Sequence, residues 1–143
     1  MTNGLSPRLL AIVDALPLQQ GMRILEIGCG PGAASREITR RIGDGHVLAI
    51  DRSAKAIAQA RAASRAEIAA GRLSLRQAAI EDFQLEADEQ HFDIAVAVRV
   101  GALDGRHPEA GKIALQRLKA ALTAQGRLFI DGGNPLREIV LHG

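Results

Sequence analysis

Five short apolar runs of strand length punctuate the chain, at residues 23–27, 47–50, 73–76, 92–98 and 127–130. Helix-like segments separate the first four, at 33–42, at 54–69 and, briefly, near Glu81. A further helix precedes them all. Ser6 and Pro7 read as its N-cap and first helical residue, and Leu9, Leu10, Ile12, Val13 and Leu16 form an apolar stripe that stops at Pro17. Another helix opens at Pro108, carries Ile113, Leu115, Leu118 and Leu122, and leads to a break at Gly126 before the last run. Ser53 can cap the 54–69 helix, and Gly43 and Gly71 stand where helix C-caps are wanted. Strand and helix alternate throughout. Parallel strands need crossover connections, and those connections cover both faces of a sheet, so the pattern predicts an α/β, doubly wound, mainly parallel sheet.

Composition narrows the class. At 143 residues the chain fits a single domain, 1–143, with a leading helical segment at 1–20 and a short extension at 131–143. Apolar residues make up 47%, without Trp or Tyr, so alanine and branched aliphatics must fill the core. The one cysteine, Cys29, excludes an internal disulfide and suits a reducing interior. No apolar run approaches the ~18 residues of a membrane span, and the start lacks the features of a signal peptide. A cytoplasmic protein is expected. Formal charge is only +2, and basic residues lie scattered among acids without aromatic interleaving, so a nucleic-acid partner is not expected.

The chemistry concentrates at strand ends, where ligands bind in such sheets. The stretch Arg23-Ile24-Leu25-Glu26-Ile27-Gly28-Cys29-Gly30-Pro31-Gly32-Ala33 joins a buried strand, a carboxylate and a glycine turn before a helix start. Bare backbone at Gly28 and Gly30 lets a nucleotide-like cofactor approach where a Cβ would collide. Asp51 closes the second run at about the 20-residue interval from which a carboxylate reaches a ribose diol. Gly28, Gly30 and Ala33 also satisfy the looser dinucleotide pattern, which leaves two cofactors open. Pro31 removes a donor from any pyrophosphate cradle, and Glu26 adds negative charge. Both favour a phosphate-free cofactor with a cationic centre, such as S-adenosylmethionine.

With these motifs the chain resembles the class I S-adenosylmethionine-dependent methyltransferases, over residues 21–130. LEIGCGPG matches the family's acidic residue and GxGxG turn, and VLAIDRSAKAIAQA, QAAIEDFQL, HFDIAVAV and LKAALTAQGRLFI follow in the family's order. The resemblance implies a Rossmann-like sheet of five parallel strands in order 3-2-1-4-5, helices on both faces, and S-adenosyl-L-homocysteine as product. It implies that Gly28, Cys29 and Gly30 lie along the methionine and ribose, with Glu26 touching ligand or organising the turn. Asp51 accepts the ribose hydroxyls and Arg52 flanks the adenine. Where the family often has Asp before a small residue, this chain has Ala79 and Ile80, so the backbone contact to adenine is kept and Glu81 or Asp82 must replace the carboxylate. Arg99, at the end of the fourth run, joins the cofactor-binding set as a cation able to steer a carboxylate.

The acceptor side is less defined. After the fourth run the chain reads Arg99-Val100-Gly101-Ala102, unlike the Asn- or Asp-Pro-Pro pattern of amino-directed members. His107 is the candidate catalytic base, since His46 and His91 precede strands and fall on the opposite edge. No spacing of His, Cys or carboxylates indicates a metal. The family's antiparallel strand pair after the fifth strand is expected to be largely missing. A homodimer or partner subunit would then cover the sheet edge. The leading reading is a methyltransferase acting on a small-molecule acceptor. The alternatives are a non-catalytic S-adenosylmethionine-binding module working with a partner protein, and an NAD-binding oxidoreductase.

Overall fold

In the computed structural model residues 4–141 are described; the ends of the expected leading segment and C-terminal extension, residues 1–3 and 142–143, lie outside them. The elements are α1 (Pro7–Ala15), β1 (Arg23–Ile27), α2 (Ala33–Arg41), β2 (His46–Asp51), α3 (Ala54–Ala63), α4 (Arg65–Ala69) and β3 (Leu73–Gln77). A 3-10 turn (Ile80–Asp82) follows, then β4 (Phe92–Ala97), α5 (Pro108–Ala121), β5 (Leu122–Ile130) and β6 (Arg137–Ile139). They build one six-stranded sheet in the order β3-β2-β1-β4-β5-β6. The first five strands are parallel, in the 3-2-1-4-5 arrangement the family resemblance implies, and β6 runs antiparallel to β5.

Alternation along the strands divides the core in two. Ile24, Val47, Ala49, Ile94, Val96 and Phe129 pack beneath α1, α2 and α3, against Ile12, Val13, Ile38 and Ile57. Leu25, Ile27, Leu48, Ile50, Ala95 and Ile130 face the other way, toward Ile80, Phe83, Ala114 and Leu118. Because successive side chains point to opposite faces, Glu26, Asp51 and Asp131 all fall on the α1–α2–α3 side. The strand order reverses between β1 and β4, which is where such sheets open a crevice.

Four expectations need correction. The helix expected over 54–69 breaks at Ser64, whose φ is −119° and whose hydroxyl oxygen accepts a 3.0 Å bond from Arg36 Nη1. A buried guanidinium claims the side chain, and the helix restarts as α4. The break expected at Gly126 instead lies inside β5, which starts at Leu122 and shifts register against β4 between Phe92 and Ile94. Ile113, expected in the apolar stripe of α5, is 44% exposed. Finally, the antiparallel unit is small rather than largely missing: β6 pairs Leu128, Phe129 and Ile130 with Ile139, Glu138 and Arg137, so the chain itself covers the last three residues of β5.

Candidate active site

One cleft of about 1150 Å³ opens at the carboxyl ends of the parallel strands. Every expected site residue lines it: Glu26, Gly28, Cys29, Gly30, Asp51, Arg52, Ala79, Ile80, Glu81 and Arg99, with His107. Glu81, not Asp82, is the carboxylate of the 3-10 turn that reaches the cleft. The other expected exclusion also holds geometrically. His46 lies at the start of β2, its ring nitrogens bonded to Gly71 O (2.8 Å) and Ser74 Oγ (2.9 Å).

The glycine turn is shaped by what presses on it. Gly28 has φ +72°, and a Cβ there would stand 2.9 Å from Val100 Cγ2, so the turn and the segment after β4 sit this close only without a side chain between them. Gly32 has φ +86°, and a Cβ there would stand 3.1 Å from Arg36 Nη1 and 3.3 Å from Ala60 Cβ. Beneath it Arg36, 7% exposed, donates to Pro31 O at 2.7 Å and so ties the turn to the Ser64 break. Sequence reading missed this support, although a charged residue one turn after Gly32 was its available sign.

The turn keeps its own donors occupied. Gly28 N–H and Cys29 N–H both donate to Ile50 O, at 2.9 and 3.0 Å, and Gly32 N–H donates to Cys29 O at 3.0 Å. Gly30 N–H donates to Asp51 Oδ2 at 2.9 Å, while Ser53 N–H donates to Asp51 Oδ1 at 2.9 Å. Pro31 has no N–H. No turn amide from 28 to 32 is left for a phosphate, whereas a dinucleotide site depends on such donors.

Two buried groups carry shifted acidities. Glu26 is 4% exposed and accepts a bond from Ser35 Oγ in the first turn of α2. Burial raises its carboxyl to about 7; the Ser35 bond opposes that and the nearby Asp51 charge adds to it. Cys29 donates to Gly30 O at 3.4 Å, and burial, with Glu26 and Asp51 beside it, pushes its thiol up to about 12. At neutral pH it is a thiol, not a thiolate nucleophile.

The opposite wall comes from β4, α1 and the start of α5. Arg99 adopts a left-handed backbone, φ +59°, and its N–H donates to Asp131 Oδ1 at 3.0 Å. Asp131 Oδ2 accepts 2.8 Å from Arg8 Nη2 on α1. His107 is the N-cap residue of α5, its ring stacked close against Gly101. Asp131 was not among the expected residues. It stands directly after an apolar strand, the rule that picked out Asp51, so its position was readable.

Comparison with known proteins agrees with this geometry. A family model described as "Methyltransferase domain" matches residues 24–126. Among curated proteins no sequence match is found. Solved structures resemble the fold over most of the chain. A methyltransferase of Thiobacillus denitrificans, in complex with S-adenosyl-L-homocysteine, gives a TM-score of 0.67 at 22% identity, covering 91% of this chain and 50% of its own. Phosphoethanolamine N-methyltransferase 1 of Haemonchus contortus, in complex with phosphoethanolamine and S-adenosylhomocysteine, gives 0.72 at 16%, covering 94% and 27%. The YcgJ protein of Bacillus subtilis gives 0.68 at 18%, covering 86% and 49%. The chain spans about half the length of the first of these relatives. From its matched domain and its sheet, the chain belongs to the class I S-adenosylmethionine-dependent methyltransferase family.

Proposed function

We propose that the chain binds S-adenosylmethionine in the cleft and transfers its methyl group to a small-molecule acceptor. The observation that carries this reading is the glycine turn: its amides are spent internally, and carboxylates, Glu26 and Asp51, flank it on one sheet face. That set suits a sulfonium, an ammonium and a ribose diol, and offers a pyrophosphate nothing. The residues present fit the cofactor sterically as well. A Cβ built on Gly30 meets nothing within 4 Å, so bare backbone borders open space, and the cleft exceeds what one ligand needs.

When bound, the cofactor supplies a methyl group on a positively charged sulfur, open to in-line displacement. The chain's own work is then mainly positioning. Asp51, with each oxygen holding one backbone N–H, keeps lone pairs for the ribose hydroxyls. Glu26 accepts from the amino group of the methionine portion. Arg52 would lie along the adenine, the backbone at Ala79 and Ile80 would serve a ring nitrogen, and the Glu81 carboxylate would take the exocyclic amine, since Ala79 stands where the family often has Asp. His107 is placed to take a proton from an acceptor that must lose one.

Calorimetry with S-adenosylhomocysteine and NAD in parallel tests the cofactor. We expect the first to bind and Asp51→Ala to weaken it at least tenfold, about 1.4 kcal/mol. Tight NAD binding without a response to the adenosyl ligand would sink the reading. Labelled S-adenosylmethionine with a metabolite extract then tests transfer; binding without labelled product favours the non-catalytic module.

A further inference from the structure

Charge in the cleft is sorted by side. The β1–β2–β3 side presents Glu26, Asp51 and Glu81 with Arg52, whereas the β4–α1–α5 side presents Arg8, Arg99, Arg106 and His107 with Glu109. We infer that this second side is an anion site, and that the methyl acceptor enters carrying a carboxylate or phosphate anchored by Arg99 and Arg8; the acceptor role rests on the methyltransferase reading above.

Arg99 carries the argument. It is the one non-glycine residue with positive φ among the described residues, a conformation that crowds the Cβ of an L residue. Strain of that kind persists where surrounding bonds enforce it. Here Asp131 Oδ1 accepts the Arg99 N–H at 3.0 Å, and Arg106 Nη2 donates to Arg99 O at 3.4 Å. The Arg99 backbone is therefore pinned, while no hydrogen bond or ion pair engages its guanidinium among the described residues.

Asp131 has a second task. Its other oxygen accepts from Arg8 Nη2 at 2.8 Å, so one carboxylate fixes the backbone of one arginine and the side chain of the other. Its side chain is only 9% exposed and does not line the cleft, so its charge sits behind the arginines it orients. Arg106 is differently placed: its Nε donates to both Asp104 oxygens, at 3.0 and 2.8 Å. Arg99 is the member with its fork unspent.

The rest of the β4 end agrees. Val98, Val100, Gly101 and Ala102 line the cleft around Arg99 without any side-chain acceptor, and the one carboxylate on this side, Glu109, stands on α5 rather than at the β4 end, among three arginines that outnumber it. An anion would find a planar guanidinium able to bond it through two parallel N–H groups. It would also approach the positive sulfur of the methyl donor with favourable charge, which aids encounter and orientation.

The test is calorimetric, on the full chain with and without S-adenosylhomocysteine. Probes are phenylacetate and phenyl phosphate, with phenylacetamide as the neutral control. We expect one or both anions to bind, whichever binds tighter naming the acceptor's group, and the amide to fail. Arg99, which the resemblance placed in the cofactor-binding set, is assigned to the acceptor instead: Arg99→Gln keeps both backbone bonds and should weaken the anion about tenfold, and Arg99→Lys should recover part of that. The S-adenosylhomocysteine arm decides between the two roles, its affinity holding within about threefold if Arg99 serves the acceptor. Four results would overturn the inference: equal binding of amide and anion, anion affinity indifferent to Arg99→Gln, no anion binding at concentrations that fill a millimolar site, or loss of S-adenosylhomocysteine but not of 5′-methylthioadenosine. The last would hand Arg99 to the cofactor's own carboxylate. Because the anion arms are also run without cofactor, failure of the wild type to bind S-adenosylhomocysteine counts against the cofactor reading and leaves the anion site to be judged separately.

Discussion

The two walls of the cleft are built by different means. The wall from β1, α2 and β2 is made of near neighbours: Glu26 meets Ser35 on the next helix, and Gly30 meets Asp51 at the end of the next strand. The wall from α1, β4 and α5 depends on Asp131 joining Arg8 from the far end of the chain to Arg99. One wall is a local motif and the other an assembly of distant segments. A local motif can place a shared cofactor in many proteins, while an assembled wall can vary with the acceptor, since its parts are not bound to one another in sequence.

The largest expected effect tests whether the local wall is strained. Folding raises Glu26 from 4.5 to about 7, so the folded state holds a proton that the unfolded chain releases near 4.5. The associated stability is complete below 4.5 and is lost as pH rises to about 7, an effect on the order of 3 kcal/mol. Glu26→Gln keeps an acceptor for Ser35 without the charge. Urea unfolding should show wild-type stability falling relative to Glu26→Gln as pH rises from 4.5 to about 7; a difference curve that stays flat across this range would mean that Glu26 is unshifted.

Next comes the support beneath the turn. Arg36→Met preserves length and removes the bonds to Pro31 O and Ser64 Oγ, leaving the buried Ser64 hydroxyl and the part-buried Pro31 carbonyl unmet. A loss of about 2 kcal/mol in urea unfolding is expected, with weaker S-adenosylhomocysteine binding as the Pro31–Gly32 turn loosens. Unchanged binding at reduced stability would mean that the turn holds its shape without this arginine.

The same contrast governs what could be read from the chain. The strand segments, Ser6 and Ser53 as caps, and Glu26, Gly28, Gly30 and Asp51 followed from apolar periodicity and strand ends, which are local signals, while the strand order and the places of Arg52, Ala79 and Ile80 followed from the family resemblance. Ser64 did not, because its break in the 54–69 helix is made by Arg36, a residue from another element. Gly126 was read as a boundary because glycine disrupts strands, yet β5 absorbs it as a register shift against Phe92. Asp131's place after an apolar strand was readable by the rule that picked out Asp51, but its role in joining Arg8 to Arg99 was not, since no local pattern announces a contact between segments so far apart.

The smallest effect asks whether the two walls are independent. Asp131→Asn keeps an oxygen for the Arg99 N–H and loses the charge that attracts Arg8. Arg8 is half exposed, so solvent screens the pair and the expected loss is no more than about 0.5–1 kcal/mol. It should appear locally, as amide exchange in α1 quickened about threefold to fivefold, because an opening that bypasses the core responds to the contact it breaks. S-adenosylhomocysteine affinity should stay within about twofold, in contrast to the tenfold loss for Asp51→Ala. If both substitutions cost the cofactor alike, the assembled wall is part of the cofactor site. The separation of donor and acceptor recognition between the two walls then fails, since a carboxylate that contacts only α1 and the β4 end has no other route to the ribose side.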